Sequence, residues 1–162
     1  MTAEPAPVLT LRPATRGDLP CVLALLADEE RVVDPGTVAV TEAYERAFAA
    51  IEADSRNEML VLVEDTAGEA EGGTVVGCLQ ATYIPGLGKG SAERALLEAV
   101  RVRADRRGGG LGRTLMERAI ERARARGCRL VQLTSNKQRQ DAHRFYARLG
   151  FTRSHDGFKL GL

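Results

Sequence analysis

Three groups of residues in this chain could carry chemistry: a glycine cluster at 108–112, a carboxylate at Glu98 and a phenol at Tyr146. The cluster is the most specific. The stretch EAVRVRADRRGGGLG, from Glu98 to Gly112, reads as a hydrophobic strand, a short basic turn and a glycine run. RTLMERAIERARARG follows, with apolar residues at helical spacing. Strand, glycine turn and helix together offer bare backbone amides to a phosphate, because glycine lets the main chain approach closely and the helix N-terminus adds positive potential. Arg107, Gly108, Gly109, Gly110, Leu111 and Gly112 fit the pattern Gln/Arg-x-x-Gly-x-Gly/Ala. A pyrophosphate has little shape beyond its charge, so fanned amides suit it, and Arg106, Arg107 or Arg113 can add charge. A plain turn would not need so many glycines, each entropically costly. The cluster therefore predicts a grip on a phosphorylated cofactor.

By strand alternation Glu98 shares a face with Leu96, Val100 and Val102. A carboxylate on an apolar stripe is costly unless it is paired or functional. Three readings stay open: a general base with a pKa raised by partial burial from about 4.3, an anchor for a substrate ammonium, or an ion pair with one of many nearby arginines. Tyr146 lies one turn beyond Ala142, beside a helix face made of Ala142, Phe145 and Leu149. Its hydroxyl can reach a cleft, or its ring can simply pack; spacing alone favours packing. Cys78 and Cys128 have no histidine near them in sequence, and His143 and His155 read as packing or surface residues.

The elements that must position these groups can be read along the chain. Residues 1–8 form a Pro/Ala-rich tail and 9–162 a single domain. Thr10–Arg12 reads as a first strand. Asp18 caps a helix running to about Glu30, with Pro20 in its first turn. Thr41–Asp54 is a second amphipathic helix. Met59–Glu64 and Thr74–Tyr83 are strands joined as a hairpin by an acidic loop, Asp65–Gly73, with Gly77 marking a bulge or a close backbone approach. Pro85–Ser91 is a glycine-rich linker or a substrate-side loop. Strand Ala95–Arg103, helix Leu111–Arg126 and strand Arg129–Thr134 make a crossover unit, so its two strands should be parallel. Gly127 stops the helix. Asp141–Leu149 is a last helix, and Phe158–Leu160 is expected to close the sheet. The run Arg118, Arg122, Arg124, Arg126 is expected to be a solvated helix face.

Composition narrows the function class. The 162 residues suffice for one core without disulfides or metal. Lys plus Arg total 23 against 22 Asp plus Glu, which argues against nucleic acid as the main partner. No apolar run approaches the ~20 residues of a membrane span, and MTAEPAPV has no signal-peptide pattern. Cys21, Cys78 and Cys128 are odd in number and scattered, which suits a reducing cytoplasm. With two histidines and no clustered ligand spacing, no metal site is expected.

A dinucleotide-binding fingerprint fits the glycines poorly. Its third glycine would fall on Arg113, and the next strand ends at Thr134-Ser135 rather than at an acid. The lysine of a phosphate-binding P-loop is also missing. Instead, RVRADRRGGGLGRTLMERA resembles the coenzyme-A motif of the GNAT superfamily of N-acetyltransferases. LTLRPATRGDLPCVLALL is similar to that family's opening strand and helix. VQLTSNKQRQDAHRFYARLGF is similar to its last conserved strand and helix, with the Phe-Tyr-x-x-x-Gly-Phe ending.

The resemblance implies an α/β (α+β) fold with a mixed, strongly twisted sheet flanked by helices. Strands Ala95–Arg103 and Arg129–Thr134 would splay apart to admit acetyl-CoA as co-substrate, without metal. Val100, Arg101 and Val102 would pair with the pantetheine arm. Amides from Arg107 to Gly112, with Arg113 and Thr114, would hold the pyrophosphate, with Asn136 as a further contact. Asn136 lies six residues before Ala142, where the family often spaces an asparagine three before, and Gly109 stands where the family often has a basic or polar residue. The implied activity is acetyl transfer to a primary amine of a small metabolite by direct ternary-complex attack. Tyr146 would be the acid and Glu98 the base. The implied protein is cytoplasmic, with homodimerisation common among relatives. The rival readings are a non-catalytic CoA-binding regulatory module and, more weakly, a nucleotide-binding Rossmann domain.

Overall fold

The computed structural model describes residues 6–66 and 72–162. Five strands form one sheet in the order β1-β2-β3-β4-β5: β1 Val8–Pro13, β2 Asn57–Asp65, β3 Thr74–Ile84, β4 Arg94–Val102 and β5 Leu130–Gln132. Four helices flank it: α1 Leu19–Ala27, α2 Glu42–Ala53, α3 Leu111–Arg126 and α4 Gln140–Arg148. Neighbouring strands are antiparallel except β4 and β5, which are parallel, as a crossover through α3 requires. The hairpin expected of β2 and β3 is present, with Glu64 opposite Thr74; within its connecting loop, residues 67–71 lie outside the described residues. The expected tail of residues 1–8 also falls largely outside them, and β1 already begins at Val8.

Each sheet face buries its own core. Leu60, Leu62, Val76, Leu79, Ala95 and Leu97 face α3 through Leu115, Met116 and Ala119. Val61, Val63 and Cys78 face α1 and α2 through Val22, Leu25 and Phe48. The alternation of consecutive β2 residues between the two clusters is the period-2 rule of a strand covered on both sides.

Two irregularities change what that rule predicts. At Gly77 a Cβ would stand 3.0 Å from the Arg101 carbonyl oxygen, and the β2–β3 register shifts just beyond it. Both expectations for this glycine therefore hold. The second irregularity is in β4. Gln80 opposes Glu98 and Cys78 opposes Arg101, so two β4 residues, Ala99 and Val100, stand against Leu79. Ala99 takes a left-handed backbone, φ 52°, as a bulged residue does. The bulge reverses the side-chain parity of β4. Ala95 and Leu97 before it, and Val100 and Val102 after it, all pack on the α3 core. Glu98 is therefore on the opposite face from Val100 and Val102, and it is exposed. This corrects the shared apolar stripe expected from alternation.

Two further expectations fail. Residues 152–162 have no regular secondary structure and are exposed throughout, so Phe158–Leu160 does not close the sheet within its own chain. The arginines of α3 are not a solvated face. Arg118 donates to the Leu9 carbonyl. Arg122 binds Glu58 through Nε and Nη2 at 2.8 and 2.5 Å. Arg126 pairs with Glu93 at 2.7 Å and lies 4.1 Å over the Tyr83 ring. Of the four, Arg124 alone has just a surface i,i+3 partner, Glu121.

Glu58 also accepts the Tyr83 hydroxyl at 2.7 Å. The Arg122 hydrogen bonds hold its carboxyl below the usual range against the opposing effect of burial, and Tyr83 adds to them. Tyr83 itself is pushed up, first by burial and then by its bond to Glu58. Asp18 follows the same logic: burial works to raise it, but Arg12 at 2.6 Å and the Thr15 N–H outweigh burial and hold it low. Carboxylates depressed in the fold bind protons less readily there than in the unfolded chain. Their stabilisation is complete above the unfolded values, about 3.9 for Asp and 4.3 for Glu, and is lost as pH falls through the lower folded values. The melting temperature, followed by circular dichroism, should therefore fall steeply once pH drops below about 4. Glu58→Gln should melt lower than wild type at pH 7, with the difference narrowing in acid.

Candidate functional site

The site begins where β4 and β5 part. They pair over only three rungs, Arg94 with Leu130, Ala95 with Val131 and Leu96 with Gln132. Beyond Leu96, β4 runs on to Val102 with no β5 partner. A strand edge left open inside a sheet can pair with an extended ligand.

At the end of that edge the chain makes a 3-10 turn, Ala104–Arg106, and enters the glycine run. Gly108 and Gly110 have φ of 80° and 86°, a conformation that costs other residues about 1–2 kcal/mol. Gly110 is the N-cap of α3. Gly109 is not left-handed, so its backbone does not require glycine. A Cβ on Gly112 would face Phe145 at 3.5 Å and Val102 at 3.7 Å, so anything larger would enter the cleft. That cleft, about 330 Å³, is lined by Val102, Gly108, Gly110, Gly112, Arg113 and Phe145, with Arg107, Arg148 and Leu149 completing its wall. Left-handed glycines, an open helix N-terminus and two rim arginines fit a bound diphosphate.

The arginines divide the work differently from the sequence expectation. Arg106 forms a bidentate pair with buried Glu64, Nη2 lying 2.6 Å from Oε1. The Arg106 hydrogen bond holds the Glu64 carboxyl low against burial. Arg107 gives Nε to the Val102 carbonyl at 3.1 Å and Nη1 to the Glu29 carbonyl at 2.7 Å. Both guanidiniums thus brace the turn. Arg113 pairs with Glu117 at the exposed rim, and among the described residues no carboxylate pairs with Arg148. Asp28, 3% exposed at the C-terminus of α1, accepts the Ala104 N–H at 2.8 Å and faces Arg107 Nη2 at 3.4 Å. Nothing local in the sequence marks Asp28, Glu64 or Arg148, because each acts across a long chain separation.

The other expected residues take varied places. Leu111 packs its side chain in the core, leaving only its backbone for the site. Thr114 Oγ1 donates to the Gly110 carbonyl at 3.2 Å. Arg101 donates to the Val100 carbonyl at 3.0 Å. Asn136 uses its Oδ1 to accept the Gln138 N–H at 2.9 Å, and its carbonyl accepts His143 Nε2 at 2.8 Å, so it shapes the turn before α4 and does not line the cleft. Tyr146 is half-buried beside Phe145 and Phe151, with ring centroids 5.2 and 5.9 Å away. Burial pushes its phenol up, and the charges of Arg139 and Arg101 oppose that shift. Glu98 makes no ion pair with any described residue. Among the described residues no cluster of His, Cys, Asp and Glu is suited to a metal.

Comparison with known proteins adds to this geometry. The Acetyltransferase (GNAT) family model matches residues 24–151. A 56-residue stretch is 45% identical to the aminoalkylphosphonate N-acetyltransferase of Salmonella typhimurium; it is 35% of this chain, and the chain spans only 36% of that protein's length. The crystal structure of a transcriptional regulator from Bacillus halodurans is 42% identical, with a TM-score of 0.81, covering 96% of this chain and all of that one. AAC(6')-Iy, in complex with a CoA-containing bisubstrate analogue, shares the fold at 15% identity and TM-score 0.71, covering 96% of this chain and 98% of that one.

Three substitutions test the turn. Gly110→Ala should lower stability by about 1–2 kcal/mol, whereas Gly109→Ala should change it little, a difference that thermal melts resolve. Asp28→Ala leaves the Ala104 N–H unpaired and should cost about 1–3 kcal/mol in the same melts.

Proposed function

The chain belongs to the acetyltransferase (GNAT) family, and on that premise we propose that it moves an acetyl group from acetyl-CoA to the primary amine of a small metabolite by direct attack in a ternary complex. The observation that carries the reading is the three-rung pairing of β4 and β5 leading into a glycine cradle. The fold shared with AAC(6')-Iy, seen with its CoA-containing analogue, supports the cofactor class. The partial likeness to an aminoalkylphosphonate N-acetyltransferase supports a small amine.

The cofactor would supply an acyl group already activated as a thioester. Amides from Arg107 to Gly112, with Arg113 and Arg148 at the rim, hold its diphosphate. The open edge of β4 at Val100, Arg101 and Val102 aligns its pantetheine arm, and Thr114, in the first turn of α3, stands beside the diphosphate. A main-chain N–H near Val102 polarises the reacting carbonyl. An alkylamine of pKa ~10.4 must lose a proton before it attacks, at a cost of about 4.6 kcal/mol at pH 7. Glu98, exposed on the far side of the β4 bulge, is the base and takes that proton through a bridging water. As the new C–N bond forms, the C–S bond breaks and the departing sulfur needs a proton or a hydrogen bond. Tyr146 offers one: its raised pKa keeps the hydroxyl protonated at neutral pH. Against a thiol of pKa ~8.5 full transfer is uphill, so hydrogen-bond stabilisation of the sulfur is the larger effect.

Free thiol released from acetyl-CoA, followed across a panel of amines, tests the reading. Release should require an added amine. Tyr146→Phe should cut kcat on the order of 10²-fold, with acetyl-CoA affinity retained. Glu98→Gln should slow the reaction most near pH 7 and recover as pH approaches the amine pKa. A wild-type protein that binds coenzyme A but releases no amine-dependent thiol would instead be a regulatory module.

A further inference from the structure

Along the second half of β3 and the first half of β4, one sheet face is buried and the other is open. Leu79, Ala81 and Tyr83 of β3, with Ala95 and Leu97 of β4, pack in the α3 core. The residues alternating with them turn toward the side of α1 and α2. The core on that side takes Met59, Val61 and Cys78 but stops short of Gln80, Thr82, Ile84, Arg94, Leu96 and Glu98. Five of these six are half-buried, and Glu98 is exposed. They form a strip two strands wide: Gln80 opposes Glu98, Thr82 opposes Leu96 and Ile84 opposes Arg94.

The strip is charged at both ends and apolar between. Among the described residues neither Glu98 nor Arg94 has an ion-pair partner. Glu93, beside Arg94 in sequence, is turned to α3 and held by Arg126 at 2.7 Å. The Thr82 hydroxyl is engaged, donating to Asn57 Oδ1 at 2.8 Å, so Leu96 and Ile84 set the character of the middle. Arg94 Nη1 lies beside Gly86 of the β3–β4 loop, where a Cβ would stand 3.5 Å from it. That loop holds Lys89 and Ser91 in left-handed backbone, φ 50° and 63°, and strain of this kind persists at ligand clamps. Glu98 and Arg94 are four residues apart, ~13 Å along the strand at ~3.3 Å per residue.

We propose that the acceptor is an aliphatic primary amine carrying an anionic group, a carboxylate or a phosphonate, at its far end, with the amine toward Glu98, the carbon chain over Leu96 and the anion on the Arg94 guanidinium. The inference rests on the acetyl-transfer reading and deepens it. In that reading coenzyme A takes the β4 edge from Val100 onward, so the strip beginning at Glu98 is the part of β4 left for the acceptor. A guanidinium without a carboxylate partner can take either anion through paired N–H bonds. The reversed orientation sets like charges together at both ends, so the strip also dictates which end of the acceptor meets the thioester.

The test pairs anionic amines with neutral ones of equal length: ω-amino carboxylates against ω-amino amides, and aminoalkylphosphonates against amino alcohols. The readout is thiol release from acetyl-CoA. Wild type should use one anionic series with kcat/KM at least about tenfold above its neutral partners, and the preferred series tells carboxylate from phosphonate. Arg94→Gln should raise KM for the anionic amines at least about tenfold, with their kcat and the KM of neutral amines little changed. Arg94→Lys, which keeps the charge but not the paired donors, should retain part of the preference. Neutral amines used as well as anionic ones overturn the proposal, and so does a loss in Arg94→Gln that is equal for both. Should Arg94→Gln fail to fold, the wild-type comparison decides alone. If no amine releases thiol, the acetyl-transfer reading fails by itself, and calorimetry of the same amines tests the strip. Wild type that then binds none of them, or binds neutral and anionic members equally, overturns the proposal too.

Discussion

Three parallel rungs between β4 and β5 are the constraint on which the site depends. Were the two strands paired along the full length of β4, the edge at Val100–Val102 would be consumed by the sheet and no extended ligand could join it. Were they not paired at all, nothing would place the start of α4 beside the glycine turn. A short contact fixes the base of the gap, and separate elements hold its sides: β4 by its antiparallel register with β3, and α4 through Phe145, Tyr146 and Leu149 packed on the α3 core.

The glycine turn has the opposite difficulty. Its left-handed residues give amides the right direction but little rigidity. Rigidity comes from charged side chains drawn from distant parts of the chain. Asp28 at the end of α1 holds the Ala104 amide, Arg107 binds carbonyls on both β4 and the segment after α1, and Arg106 is locked to Glu64 of β2. Cations that a local reading assigns to the ligand are thus used to hold the backbone that meets it. The charge left at the rim belongs to Arg113 and to Arg148, from α4.

Much of this architecture was legible from local signals. The α3 limits follow from the glycines at either end, and Gly127 does adopt the left-handed cap that ends the helix, φ 95°. The crossover through α3 required parallel β4 and β5, and the hairpin of β2 and β3 followed from their short polar loop. The cradle residues Gly108, Gly110 and Gly112 were readable because glycine reports on backbone geometry at its own position. What failed depended on contacts between distant residues. Period-two reasoning put Glu98 on the wrong face because the bulge at Ala99 has no sequence mark. The α3 arginines looked solvated because Glu58 and Glu93 are far away in the chain. Phe158–Leu160 has the pattern of a strand, but pattern cannot supply a partner, and in the fold the segment pairs with no described strand.

The reversal of parity in β4 carries a consequence for the strand's direction. Leu97 and Val100 are three residues apart yet both reach the α3 core, because Ala99 is taken up in the bulge. Removing Ala99 would restore plain alternation: Leu79 would face Val100 alone, and Val100 and Val102 would stay on the α3 side with every other register partner kept. Only the bend that a bulge puts into its strand would be lost. Side-chain replacements around this point alter single contacts. Losing one peptide unit would straighten β4 where it parts from β5, so the mouth of the cleft owes its course to the backbone of Ala99 and not to its side chain.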